Sequence, residues 1–296
     1  MAATQQVVVV INASGGRASR EGDALEGRLI EAFAVHGVAV DPKMVEGPEI
    51  AQTIANAGSA AVVAVGGGDG TQGSAAALLS ASGQIMAVLP LGTLNHLSVD
   101  LGIPADLTEA AGIAVHGAVR SIDLAQVGDQ VFVNNASVGL YTKLVRVRDA
   151  HSLPKWLATI PAGWTVLRGF KVRRLELEID GARQCLETPL LFIGNNPYNI
   201  TGRRLGKRDA LDSGQLGLYA VRHKNPAALI GFALRALMGR ADPARDFAPI
   251  DDCAAFTLLG SGPIDVAHDG EVTRMQLPLQ FRILPGALKV KVPAQD

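Results

Sequence analysis

The run Gly66-Gly67-Gly68-Asp69-Gly70-Thr71-Gln72-Gly73 follows the apolar stretch Ala61 to Val65 and leads into a helical stretch from Ser74 to Leu79. Glycines at such a junction let backbone N–H groups come close to an anion, and a helix N-terminus adds a favourable dipole. The chemistry this suits is phosphate binding. Gly68, Gly70 and Gly73 also satisfy G-x-G-x-x-G, so a dinucleotide site is a second reading. Two features favour a kinase instead. The loop follows the third strand of the pattern rather than the first. Asp69 also puts a carboxylate where a bare pyrophosphate would be repelled unless a cation or donor intervened, and a metal-bridged nucleotide tolerates that better. A tight turn without a ligand is the plain alternative, and glycines on both sides of an acid argue against it.

Two further loops have the same character. Asn12-Ala13-Ser14-Gly15-Gly16 follows the first apolar run, and Pro90-Leu91-Gly92-Thr93-Leu94-Asn95-His96 follows the fourth. In a parallel sheet all three turns fall at the carboxyl ends of strands, where open α/β folds bind ligands. Taken singly each is also readable as a capped helix start; jointly they favour a nucleotide cleft. The candidate carboxylate is Asp269, in His268-Asp269-Gly270-Glu271. Asp-Gly between alternating runs is equally a hairpin turn. Ile179-Asp180-Gly181 carries the same dipeptide and serves as a control, read as a turn alone. On residues alone a turn is the better reading at both positions.

The elements that must hold these loops follow from periodicity. From residue 7 to about 123, short β-branched runs alternate with helical stretches, the pattern of βαβ units and a parallel sheet. The expected strands are Val7 to Ile11, Val38 to Lys43, Ala61 to Val65 and Ile85 to Leu89. Helices are expected over Glu21 to His36 and Pro48 to Ala57, with Gly37 and Gly58 as stops. After Asp123 the chain turns to short alternating runs: Leu124 to Val127, Val131 to Asn135, Leu175 to Ile179, Leu190 to Gly194, Leu216 to Val221, Ala255 to Leu259 and Ile264 to His268. That pattern predicts an antiparallel, β-rich second domain. Asn225-Pro226 opens an expected helix to about Gly239.

The 296 residues, 48% hydrophobic and 19% charged with 33 glycines, describe a globular α/β chain of two domains. A formal net charge of −1 argues against a nucleic-acid partner. Two cysteines, Cys185 and Cys253, supply neither a disulfide framework nor a zinc cluster, which suits a reducing, cytoplasmic setting. No apolar run is long enough to cross a bilayer and no export signal is visible, so membrane contact is expected to be peripheral, at the inner membrane surface.

Asn12 to Gly16, Gly67-Gly68-Asp69-Gly70-Thr71, and Leu89-Pro90-Leu91-Gly92-Thr93-Leu94-Asn95-His96 resemble, in order and spacing, the catalytic domain of the bacterial diacylglycerol kinase family, which includes sphingosine and ceramide kinases. NAD kinases are distant relatives that share the Gly-Gly-Asp-Gly-Thr loop. The resemblance runs on through Phe132 to Gly139 and Asn195 to Leu216, and ends with His268 to Glu271 and Pro285 to Pro293. It implies a two-domain NAD kinase/diacylglycerol kinase-like fold: an α/β nucleotide-binding domain over residues 1–123, rejoined by about 285–296, and a β-rich lipid-substrate domain over 124–284. It implies ATP and Mg²⁺ as cofactors and transfer of the γ-phosphate to diacylglycerol or a related lipid alcohol, in lipid metabolism and phospholipid biosynthesis. Asn12, Ala13, Ser14, Gly15, Gly16, Gly67, Gly68, Asp69, Gly70, Thr71, Gln72, Gly73, Thr93 and Asn95 then line the nucleotide. Asp269 becomes the base for the acceptor hydroxyl, Glu271 orients it, and Asp69 with Thr71 organises nucleotide and metal. NAD kinase-like phosphorylation of a soluble hydroxyl, and a catalytically weak nucleotide- or lipid-binding regulator, are the alternatives.

The sequence departs from the family in places. Where the family commonly carries paired acids that hold a structural Mg²⁺, this chain has Asp212-Ser213, so Asp212 alone is carried as a metal ligand. The family's threonine after the second strand is replaced near Val45-Glu46. Arg146 to Arg174, rich in cations and containing Trp156 and Trp164, is readable as a membrane-surface contact or a solvated helix. Arg203 to Arg208 is readable as a phosphate contact or a solvated loop, and His96 as a loop hydrogen-bonding residue. A homodimer is left open.

Overall fold

The structure is a computed structural model describing residues 6–58, 60–93, 95–139, 171–199, 207–223, 225, 228 and 243–294. The chain forms two compact units: residues 1–124, 131–134 and 285–296 in one, 125–130 and 135–284 in the other. Of the expected Arg146-to-Arg174 stretch, residues 146–170 lie outside the described residues, as do Arg203 to Gly206 and most of the helix expected from Asn225 to Gly239.

In the first unit, β1 (Val7–Asn12), β2 (Lys43–Val45), β3 (Val62–Gly67) and β4 (Ile85–Pro90) form a parallel sheet in the order β2-β1-β3-β4. β3 is buried along its whole length, which is why it reads Val-Val-Ala-Val-Gly-Gly with no polar alternation. Helices α1 (Ala18–Glu21), α2 (Asp23–Ala34), α3 (Gly47–Ala55), α4 (Asp69–Ser82), α5 (His96–Asp100) and α6 (Leu107–His116) connect the strands. α2 buries Leu25, Leu29, Ala32 and Phe33, one face at helical spacing. Glu46 and Glu49 form a reciprocal capping box at the start of α3, and Asp106 caps α6 by accepting from the N–H groups of Thr108 and Glu109. The second strand departs from expectation: it is Lys43–Val45, not Val38 to Lys43. Pro42, with no N–H to donate, immediately precedes the first paired residue, Lys43.

The end of the chain also belongs to this unit. Lys289 and Val290 pair in parallel with Ile85 and Met86 of β4, and Leu288 and Val290 are fully buried. Asp123 accepts from the N–H of Gly286 at 2.8 Å. Lys291 places its ammonium on the carbonyls of Gly117 (3.0 Å) and Val115 (3.5 Å), at the C-terminus of α6, where a cation suits the exposed carbonyls.

The second unit holds β7 (Asn135–Gly139), β8 (Arg173–Ile179), β9 (Ala182–Thr188), β10 (Leu190–Asn195), β11 (Leu216–Val221), β12 (Phe247–Pro249) and β13 (Ala255–His268), with α7 (Pro243–Asp246) before β12. Its antiparallel order is β12-β11-β10-β7-β13, with the hairpin β8-β9 attached to the early part of β13. The long strand β14 (Glu271–Val292) pairs with β13 before entering the first unit. Two expected strands fuse into β13, whose register shifts between Leu258 and Gly262. Conversely, the run expected as Val131 to Asn135 divides into β6 (Gln130–Phe132), which pairs with β5 (Ala118–Val127), and β7, which pairs with β10 and β13. The expected fold class, α/β followed by a β-rich region, is the one observed.

Candidate active site

The three glycine-bearing loops meet at the carboxyl edge of the parallel sheet because β1, β3 and β4 are adjacent. The Asn12 amide donates from Nδ2 to Thr71 Oγ1 at 2.8 Å, and its Oδ1 accepts from the N–H and hydroxyl of Ser14 at 3.1 and 2.7 Å. One side chain thereby shapes its own loop and fastens it to the next. The N–H of Arg17 reaches the Leu91 carbonyl at 2.8 Å, joining the first loop to the third. Gly16 makes this possible: its φ is +60°, and a Cβ there would lie 2.1 Å from Leu91 O. Gly92 and Gly68 are equally close, since a Cβ on Gly92 would stand 2.6 Å from the Gly68 Cα. Asn95, in the left-handed conformation, accepts from the Gly92 N–H at 2.8 Å and donates to the Gly92 carbonyl at 3.0 Å.

α4 begins at Asp69, five residues earlier than expected from Ser74, and its cap residue Gly68 offers no side chain to the first N–H groups. Those donors have no intrahelical acceptor, so an anion at the loop would meet them directly. The Asp69 carboxylate accepts from the His96 N–H at 2.8 Å and ties the second loop to the third. Gln72 is fully buried behind the loop, with Nε2 toward the Gly67 carbonyl at 3.3 Å; Gly73 is buried beside it. Thr93 is exposed, and the N–H of Ala13 bonds the Val45 carbonyl at the end of β2. Beside Ala13 lies a hollow of about 260 Å³ lined by Met44, Ala18, Ser19, Asp23 and Glu26 among others.

In the second unit, Asp269 and Gly270 form the turn between β13 and β14, at φ +44° and +89°. Asp180 and Gly181 form the β8-β9 turn at φ +50° and +80°, so the control dipeptide adopts the same backbone. The surroundings differ. Asp180 is exposed; Asp269 is half-buried, its N–H donating to the Asn135 carbonyl at 3.0 Å and its Oδ1 accepting from the Asn135 N–H at 3.3 Å. Asn135 was not singled out by sequence, and its only signal is a polar residue opening an apolar strand. Glu271 is exposed, while neighbouring His268 is buried, with Nε2 2.9 Å from Thr273 Oγ1; burial lowers its pKa, against a weaker opposing pull from Glu271.

The glycine loops fit a polyphosphate: they are a cradle that side chains would fill. A magnesium cage is another matter. Asp212 is exposed, Ser213 Oγ lies 2.9 Å from the Asn196 amide donor, and among the described residues no three His, Cys, Asp or Glu side chains gather to hold a metal. Among the described residues there is thus no multi-ligand side-chain site for Mg²⁺. Of the expected basic loop, Arg208 is buried, donating to the Asn195 carbonyl at 3.1 Å and lying over the Tyr198 ring, which commits it to the fold rather than to a phosphate.

The diacylglycerol kinase catalytic domain family matches residues 6–127. The chain is 31% identical to a protein of Pseudomonas putida named "Probable lipid kinase YegS-like", over 83% of this chain and 81% of that one. It is 30% identical to a protein of the same name from Chromohalobacter salexigens, covering 67% of this chain and 65% of that one. It is also 30% identical to the diacylglycerol kinase of Bacillus subtilis, over 52% of each. The match thus spans less than two thirds of the length of the last two relatives. The crystal structure of a diacylglycerol kinase from Bacillus anthracis superposes with a TM-score of 0.69 over 97% of both chains at 18% identity, a likeness of fold.

Proposed function

The chain belongs to the diacylglycerol kinase catalytic-domain family of lipid kinases, and on that premise we propose that it transfers the γ-phosphate of ATP to the hydroxyl of diacylglycerol or a related long-chain lipid alcohol. The observation that carries this reading is the locking together of three glycine loops through Asn12, Arg17 and Asp69 at one sheet edge. Phosphoryl transfer asks mainly for positioned donors and little covalent chemistry, and rigid loops with unsatisfied N–H groups supply them. ATP supplies the phosphoryl group. The loop N–H groups and the Thr71 hydroxyl bind its phosphates, and Asn12 orients Thr71. Asp269 takes the proton of the acceptor hydroxyl, whose oxygen bonds the γ-phosphorus as the bond to the β,γ-bridging oxygen breaks and ADP leaves. Asn135 holds Asp269 in place, and exposed Glu271 tunes the charge around it. The acceptor resides in a bilayer, so the reaction takes place at a membrane surface; among the described residues no helix is long and apolar enough to cross one.

The test is incubation with labelled ATP and a panel of diacylglycerol, monoacylglycerol, ceramide, sphingoid base and NAD, followed by phase separation. Label is expected in the organic phase; label confined to an aqueous acceptor such as NAD overturns the reading. Asp269→Asn is expected to slow transfer by about 10²–10⁴, the usual worth of a general base, while leaving ATP affinity intact.

A further inference from the structure

One buried polar group near Asp269 has no use in the reaction as described. Ser137, in the middle of β7, is 2% exposed, and among the described residues its hydroxyl has no hydrogen-bond partner. Leaving a hydroxyl buried and unpaired costs about 1–3 kcal/mol, so the group calls for a partner that the described residues do not provide.

Its position follows from strand register. Ser137 stands directly opposite Ala267 of β13 and Phe192 of β10, and Phe192 stands opposite Tyr219 of β11. Directly opposed residues share a face, and residues two apart on one strand share it as well. Asn135, two residues before Ser137, is the residue whose main chain clasps Asp269, and Asp269 is two residues past Ala267. Ser137 therefore lies on the same face as Asn135, whose main chain holds Asp269, roughly 6.7 Å along the strand at the usual rise per residue. Its nearest cross-strand neighbours offer a methyl group and a phenyl ring. The Tyr219 hydroxyl is committed, accepting from the Tyr198 N–H at 2.8 Å and donating to the Tyr198 carbonyl at 3.0 Å. Directly across the strands Ser137 thus meets only apolar and aromatic side chains, with Asn135 and Asp265 the polar residues two positions along the same face.

We propose that Ser137 binds the lipid acceptor by donating its hydroxyl proton to an ester carbonyl a few bonds from the reacting hydroxyl, which sets that hydroxyl at Asp269. The inference rests on the lipid-kinase reading and sharpens it: the preferred acceptors are acylated, carrying a carbonyl beside the free hydroxyl, over ether lipids and plain long-chain alcohols.

The test compares diacylglycerol with dialkylglycerol of matched chain length in mixed micelles, for the wild type and Ser137→Ala. The wild type is expected to favour the diacyl lipid in kcat/KM by about tenfold, the worth of one neutral hydrogen bond whose donor is otherwise left unpaired. In Ser137→Ala that ratio is expected to collapse toward one. The alanine variant is also expected to melt no lower than the wild type, because an unpartnered hydroxyl contributes nothing to the fold. A ratio unmoved by the substitution overturns the inference alone. So does a clear drop in Tm, which would mean the hydroxyl has a partner within the protein. Phosphorylation of neither glycerolipid by the wild type overturns this inference, and the kinase reading falls with it only where no lipid of the wider panel is labelled either.

Discussion

Asp180 and Asp269 sit in turns of the same backbone shape, and only the second is gripped by a strand from far along the chain. The adjacent His268 extends that grip into the core, with its imidazole on Thr273. Burial holds the His268 pKa below its ordinary value. As the pH falls below about 6.5, the unfolded chain takes up a proton that the folded chain refuses. The contribution of His268 to stability is therefore complete above that pH and is lost as the pH falls toward the folded pKa. Wild-type Tm is expected to decline from about pH 6.5 to 5, and His268→Gln, which keeps a hydrogen-bonding group but cannot be protonated, is expected to flatten that decline. Calorimetric scans across this range check it, and equal slopes for the two proteins would show that His268 is not the group responsible.

At the scale of elements, the loops behave as one device because their glycines permit contact rather than mere flexibility. Neighbouring Gly15 and Gly16 make the distinction testable. A Cβ on Gly15 would meet only the Asn12 amide nitrogen at 3.9 Å, an ordinary contact. On Gly16 it would meet a backbone carbonyl at 2.1 Å in a left-handed conformation. Gly15→Ala is expected to leave stability within about 0.5 kcal/mol, whereas Gly16→Ala should cost about 2 kcal/mol or more, from strain and the broken Arg17–Leu91 link. Urea unfolding of the two variants measures this. If the mechanism holds, nucleotide affinity falls in the second variant together with stability, because both depend on the same closure.

Across the whole molecule, the long strand β14 leaves one unit and completes the other. Leu288 and Val290, fully buried, each contribute on the order of 1.5–3 kcal/mol of burial, a large share of the roughly 5–15 kcal/mol that holds a domain folded. Truncation after Leu284 also removes the Gly286 N–H from buried Asp123 and the Lys291 ammonium from the end of α6. The truncated protein is expected to lose amide protection in β4, the strand that β14 pairs with, and protection equal to that of the full chain would refute this account. None of that return was visible in the β-branched runs, although the resemblance implied that the final segment rejoins the first domain. What the sequence determined alone was local: the apolar runs of β1, β3, β4, β10 and β11, the glycine loops that follow the first three, and the two Asp-Gly turns, each carried by contiguous residues whose preferences need no distant partner. What failed or stayed hidden depended on pairing. The second strand shifted to Lys43–Val45 because its ladder starts after Pro42, one expected strand divided between two sets of partners, and two others fused across a bulge. Tertiary structure alone decided that Asn12 holds Thr71, that Asn135 separates Asp269 from its twin at Asp180, and that Ser137 has no hydrogen-bond partner among the described residues. A hydrogen-bond partner is chosen by which strands lie side by side, and that is a property of the folded chain, not of any one stretch of it.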